Sequence, residues 1–155
     1  HSLSKRSNLA GLRSGFCASG TANIAKIRSL RAYAGCPLPG PVQAVSAKVW
    51  DDEDHVAASR ELYIEKFEAA DEILGDLQGY MAPQAGFFLW LPVNDGETAA
   101  KKLWQETGVR VLPGAYLSRD TVQGNPGSNY IRVALCAPKN DVQRGLTKLR
   151  ECIYG

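Results

Sequence analysis

The chain has 155 residues, 45% of them apolar and 22% charged, with a formal net charge of +2. That length supports one well-buried core, or the tail of one domain with a small second one. So small a charge, with no basic stripe interleaved with aromatics, is too weak to argue for a nucleic-acid surface, and no apolar run approaches the roughly 20 residues of a membrane-crossing helix. Cys17, Cys36, Cys136 and Cys152 form no CxxC pair, and His1 and His55 are the only histidines. Zinc is rejected on that inventory, and a serine or cysteine hydrolase is short of an imidazole base. The cysteines read as reduced, mostly buried thiols of a cytoplasmic protein.

Residues 1–16, HSLSKRSNLAGLRSGF, open the chain without Met on a dense basic and hydroxylic run. SGFCAS reads as a short strand, and GTANIAKIRSLRAYA as a helix of about four turns. GCPLPGPVQ is a rigid break, with Pro41 suited to a first helical turn. From Asp51 the pattern changes: Tyr63, Phe67, Ala70, Leu74 and Leu77 recur at spacings of four and three, one apolar stripe. A helix over residues 51–78 would run about 40 Å, with the acidic cluster Asp51–Asp54 at its N-terminus. So long a helix bridges two domains, which places a boundary at its start and divides the chain into residues 1–50 and 51–155. GFFLWLPV (strand), GETAAKKLWQET (helix, stopped by Gly108), VRVLPG (strand) and NYIRVALC (strand) follow. The last helix carries a Val142, Leu146, Leu149 and Ile153 stripe, with Asn140 placed to cap it. Strands and helices alternate, so the class is α/β or α+β.

The chemistry gathers at the two ends. In an extended strand Ser2 and Ser4 would share one face and Lys5 the other, so a common ligand requires a turn, for which SNLAG is suited. Hydroxyls and a guanidinium (Arg13) suit a phosphate, and a lysine beside a cation has its amine made more available as a nucleophile. A lysine next to a phosphate clamp is what pyridoxal phosphate requires; the ordinary alternative is a solvated basic loop. In NYIRVALC, Ile131, Val133 and Leu135 share one face while Tyr130, Arg132 and Ala134 share the other. Arg132 is therefore either a solvent-facing arginine or a fork for a carboxylate, which lysine could not replace.

Taken together these residues resemble a family. The Ser-x-x-Lys run followed by Arg and Gly in SLSKRSNLAGLRSG is similar to the lysine motif of the class I/II aminotransferases of fold type I. Ser14 stands where that motif usually has a small aliphatic residue. The likeness continues in order through QAGFFLWLPV, GVRVLPG and GNPGSNYIRVAL, nearly the whole chain. The resemblance implies an α/β fold, here the end of the large cofactor domain followed by a small C-terminal α+β domain. It also implies pyridoxal 5′-phosphate as cofactor and no metal. Lys5 would carry the cofactor covalently and move a proton at the substrate α-carbon. Ser2 and Arg13 would bind the cofactor phosphate, and Arg132 the α-carboxylate of the amino acid.

YAGCPLPGPVQAVSAKVWDDEDHV is most similar to N-succinyldiaminopimelate aminotransferases of lysine biosynthesis, which implies an amino acid and a 2-oxo acid as substrates. A homodimer is implied too, with GCPLPGPVQ reaching the neighbour; no nucleic acid or membrane is. The family's ring-contacting residues precede the lysine, so the chain reads as the C-terminal portion of a longer enzyme, inactive alone. A carbon–sulfur β-lyase on the same scaffold and an aminotransferase-like regulatory or interaction domain are the alternatives.

Overall fold

The structure is a computed structural model that describes residues 1–35 and 37–155; the expectation for Cys36 lies outside them. The chain forms two compact units, residues 1–60 and 61–155. Six α-helices are described: α1 (Leu3–Arg6), α2 (Thr21–Arg31), α3 (Gly40–Asp51), α4 (Asp54–Leu74), α5 (Gly96–Thr107) and α6 (Lys139–Ile153). Three strands accompany them: β1 (Phe88–Pro92), β2 (Leu112–Pro113) and β3 (Tyr130–Ala134).

In the first unit, residues 2–15 form a closed loop. Ser2 and Gly15 make a single antiparallel bridge, supported by Leu3 N–H to the Ser14 carbonyl (3.1 Å) and Phe16 N–H to the His1 carbonyl (2.9 Å). SGFCAS does not form the expected strand. Its partner turns into α1 directly after Ser2, so the ladder has nowhere to continue. The opening segment is likewise helical rather than extended. Ser2 is the N-cap of α1, its hydroxyl accepting from Ser4 N–H at 3.2 Å, the ordinary reason for a serine there.

The SNLAG turn forms through Asn8, at φ +55°, and a 3-10 turn over Ala10–Leu12. α2 lies within its expected span but ends at Arg31, about a turn early, and none of its residues is buried within the chain. α3 begins with Pro41 in its first turn, where a missing N–H costs nothing. The long helix is shorter than expected: α4 runs from Asp54 to Leu74, and it starts late because Asp52, which follows α3, leaves helical geometry at φ −91°, ψ 114°. At 21 residues α4 spans about 31 Å, and the division between the units falls inside it.

The second unit is a three-stranded antiparallel sheet in the order β1-β3-β2. Leu89 and Leu91 of β1, with Ile131 and Val133 of β3, are buried on one face. They form one core with Ala70 and Leu74 of α4, Ala99 and Leu103 of α5, and Val142, Leu146 and Leu149 of α6. The expected stripes on α4 and α6 are thus the faces that meet the sheet. Asp95 caps α5 by accepting from Thr98 N–H (2.8 Å), and Gly108 closes it at φ +76°, a conformation that favours glycine. Asn140 does not cap α6. Pro138 is the N-cap, already extended at ψ 149°, and Asn140 lies inside the first turn. Among the described cysteines, Cys17 and Cys136 are exposed and Cys152 is half-buried, which corrects the expectation of buried thiols. Among the described residues, no helix is long and apolar enough to cross a membrane.

Two features give stability predictions. A Cβ on Gly114 would lie 2.5 Å from the Gly127 carbonyl oxygen and 2.7 Å from the Trp90 ring, so backbone must move to admit it. Gly114→Ala is expected to destabilise the protein by about 1–3 kcal/mol, read by urea unfolding.

Arg150 grips Asp76 through both carboxylate oxygens (2.5 and 2.7 Å) and so holds that carboxyl below its usual range. A carboxyl lowered on folding stabilises above its unfolded value, near 3.9. That stability is lost as pH falls through the folded value. Asp76→Asn should therefore lower Tm at pH 7, and the gap to wild type should close as the pH is taken below about 4.

Candidate active site

Ser2, Lys5 and Arg13 lie on the closed loop of the first unit. Lys5 is exposed, within the single turn of α1. Arg13 takes a left-handed conformation (φ +53°) after the 3-10 turn, and its guanidinium donates to the Ala10 carbonyl at 3.0 Å. That bond uses one of five N–H donors and leaves an exposed edge. Together the loop offers a hydroxyl, a primary amine and a guanidinium, the donor set that suits an aldehyde-bearing phosphate ester. Residues 1–50 carry seven Lys and Arg and no Asp or Glu, a signal for an anionic ligand readable in the sequence.

Beneath the loop the packing is polar. Leu3 is fully buried; Ser7, Ser14 and Ser46 are buried with it. Ser46 Oγ hydrogen-bonds with Ser14 Oγ at 2.7 Å and with the Val42 carbonyl at 2.6 Å. The serine that departs from the lysine motif is thereby satisfied from α3, as a buried hydroxyl must be.

Arg6, next to Lys5, is held by several partners at once. It donates to the carbonyls of Val49 (2.8 Å), Trp50 (3.3 Å) and Asp52 (3.2 Å) and pairs with Glu53. Its guanidinium also lies 5.0 Å from the centre of the Trp50 ring. No sequence pattern announces this, since the partners are 43–47 positions away.

Arg132 belongs to the second unit, on the face of the sheet opposite the core. β-pairing sets it against Trp90 and Leu112. Its guanidinium carbon lies 4.3 Å from the centre of the Phe88 ring, and Trp90 stacks on Tyr130 beside it at 5.4 Å. A ring against the flat face of a guanidinium leaves the edge donors for a planar anion. The expectation that Arg132 points away from the aliphatic face is met. Phe88 was not singled out, though its alternation with Leu89 places it on this side.

The description "Aminotransferase class I and II" fits residues 1–149 of the chain. A 4-dedimethylamino-4-oxo-anhydrotetracycline transaminase of Streptomyces rimosus is 32% identical, over 96% of this chain and 40% of that protein. An LL-diaminopimelate aminotransferase of Dehalococcoides mccartyi strain 195 is 29% identical, over 96% of this chain and 38% of its own length. The crystal structure of an aminotransferase from Neisseria meningitidis Z2491 superposes with a TM-score of 0.90 at 43% identity, covering 97% of this chain and 39% of that one. The chain therefore spans about two fifths of the length of these relatives. The fold is that of fold type I enzymes, and the family uses pyridoxal 5′-phosphate. From its sequence match and its fold, this chain belongs to the class I and II aminotransferases.

Proposed function

We propose that the full-length protein is a pyridoxal-phosphate-dependent aminotransferase that moves an amino group between an amino acid and a 2-oxo acid. The closed loop that carries Ser2, Lys5 and Arg13 is the observation that supports this most directly. In this reading residues 1–50 end the large cofactor domain and residues 51–155 form the small domain. The N-succinyldiaminopimelate/2-oxoglutarate pair of lysine biosynthesis is the substrate proposal, supported by the sequence likeness over residues 33–56 and by the diaminopimelate relative. The acid-free segment 1–50 suits anionic partners of this kind. A homodimer in the cytoplasm completes the proposal; Ile27, Leu30 and Tyr33 of α2 and the adjoining turn are exposed apolar residues that an interface would cover.

Bound pyridoxal 5′-phosphate supplies the electron sink for charge developing at the substrate α-carbon. The chain's residues do the rest. Ser2 and Arg13 would donate to the cofactor phosphate. Lys5 would hold the cofactor through its Nζ, and that amine, once free, would carry the proton from the substrate α-carbon to the cofactor's C4′. Arg132 would grip the α-carboxylate with its edge donors. A β-lyase would share all four residues; release of ammonia without a 2-oxo acid acceptor would identify it.

Borohydride reduction of the loaded full-length enzyme, followed by peptide mapping, should place the pyridoxyl group on Lys5; any other lysine refutes the assignment. Arg13→Ala should weaken cofactor retention, whereas Arg132→Ala should mainly raise the KM for the amino acid. Equal effects of both on cofactor binding would contradict that division. Phe88→Ala removes a contact worth roughly 0.5–1 kcal/mol and should raise that KM about two- to fivefold, with cofactor retention unchanged.

A further inference from the structure

The lysine loop is fastened to the junction between α3 and α4 by two independent sets of contacts. The first is Arg6. Its side chain is 17% exposed, and its fork reaches three carbonyls at the end of α3 besides Glu53.

The second is a hydrogen-bond chain through His55. Asp52 Oδ1 accepts from Asp54 N–H at 3.0 Å. Its Oδ2 lies 2.9 Å from His55 Nδ1, and His55 Nε2 lies 2.9 Å from Ser7 Oγ. The bond from His55 holds the Asp52 carboxyl below its usual range, so Asp52 is ionised and fixes the imidazole ring. Asp, His and Ser in this order make a nucleophilic relay in other proteins. Here Ser7 is 9% exposed and also receives Arg6 at 3.4 Å, so no substrate carbonyl can approach it.

Ser7 and Arg6 are the two residues that follow Lys5. Fixing both on one side, while Ser2 caps α1 on the other, leaves the Lys5 backbone with little freedom. We propose that Arg6, and His55 with Asp52 through Ser7, are positioning residues that set where the Lys5 amine stands. This rests on the reading of Lys5 as the cofactor lysine. Reactions of this kind lose rate steeply when the reacting amine is displaced by an ångström. Arg132, in the other unit, makes none of these contacts, so substrate grip is untouched.

The test uses the full-length protein. In the cofactor-free form, amide hydrogen exchange is followed in the peptide covering residues 1–16, where Leu3, Ser7, Leu9 and Phe16 N–H groups are bonded within the loop. Arg6→Lys keeps the charge but not the fork, and should speed that exchange at least tenfold while peptides from residues 88–155 stay at wild-type rates. In the loaded enzyme the same variant should lose at least tenfold in kcat with the amino-acid KM within twofold of wild type. His55→Ala, which leaves the Arg6 fork intact, should give a three- to tenfold effect on both readouts; it decides the matter if Arg6→Lys does not fold. Wild-type exchange in either variant, with borohydride label on Lys5, overturns the positioning role alone. Label on another lysine overturns the functional reading beneath it.

Discussion

The last carbonyls of α3 have no donors within their own helix, and Arg6 supplies donors to Val49, Trp50 and Asp52 at once. A helix end without partners is costly when covered, and a cation there is also favoured by the helix dipole. The guanidinium therefore serves two structures. It completes α3, and it pins the loop directly after Lys5. Trp50 is caught in the same arrangement, with Arg6 5.0 Å from its ring centre and Phe16 at 4.9 Å. Arg6 within the closed loop and Phe16 just past it thus both bear on the end of one helix.

The second unit solves the same problem by the same means. Arg150 donates to the Ile73 carbonyl at the end of α4 while it grips Asp76 just beyond. Lys102 reaches the Cys152 carbonyl in the last turn of α6 at 2.8 Å. Each cation comes from a distant point of the chain, so each closes a helix and ties two elements together. In such units the helix ends, as much as the apolar core, determine which segments lie side by side.

A division of labour between sheet faces gives Arg132 its setting. One face is sealed by leucines, isoleucine and valine against three helices, which fixes the register of β1 on β3. Once that register is fixed, Phe88 and Trp90 must lie on the Arg132 side. Gly114, pressed between the Gly127 carbonyl and the Trp90 ring, shows how closely the loop after β2 follows this face. The aromatic surroundings of the arginine are therefore a consequence of core packing on the other side.

Local information in the sequence was enough for α2, α5, α6, β1 and β3, because period, caps and glycine stops act within a few residues. Alternation alone put Arg132 on the correct face, and the lysine motif alone marked Ser2, Lys5 and Arg13 as candidates. What only the tertiary structure decided were the long-range exchanges. SGFCAS has strand composition but only a one-bridge partner, so it stays irregular. The long helix starts at Asp54 rather than Asp51, with the Asp52 carbonyl serving Arg6 and its carboxylate serving His55. Asn140 lost the cap to Pro138, whose extended ψ of 149° leads the chain into α6. Ser14 found Ser46 across 32 positions of chain. Periodicity reports which side of an element is apolar; it carries no record of which distant donor will meet an unpaired carbonyl, and that meeting is what holds the lysine loop in place.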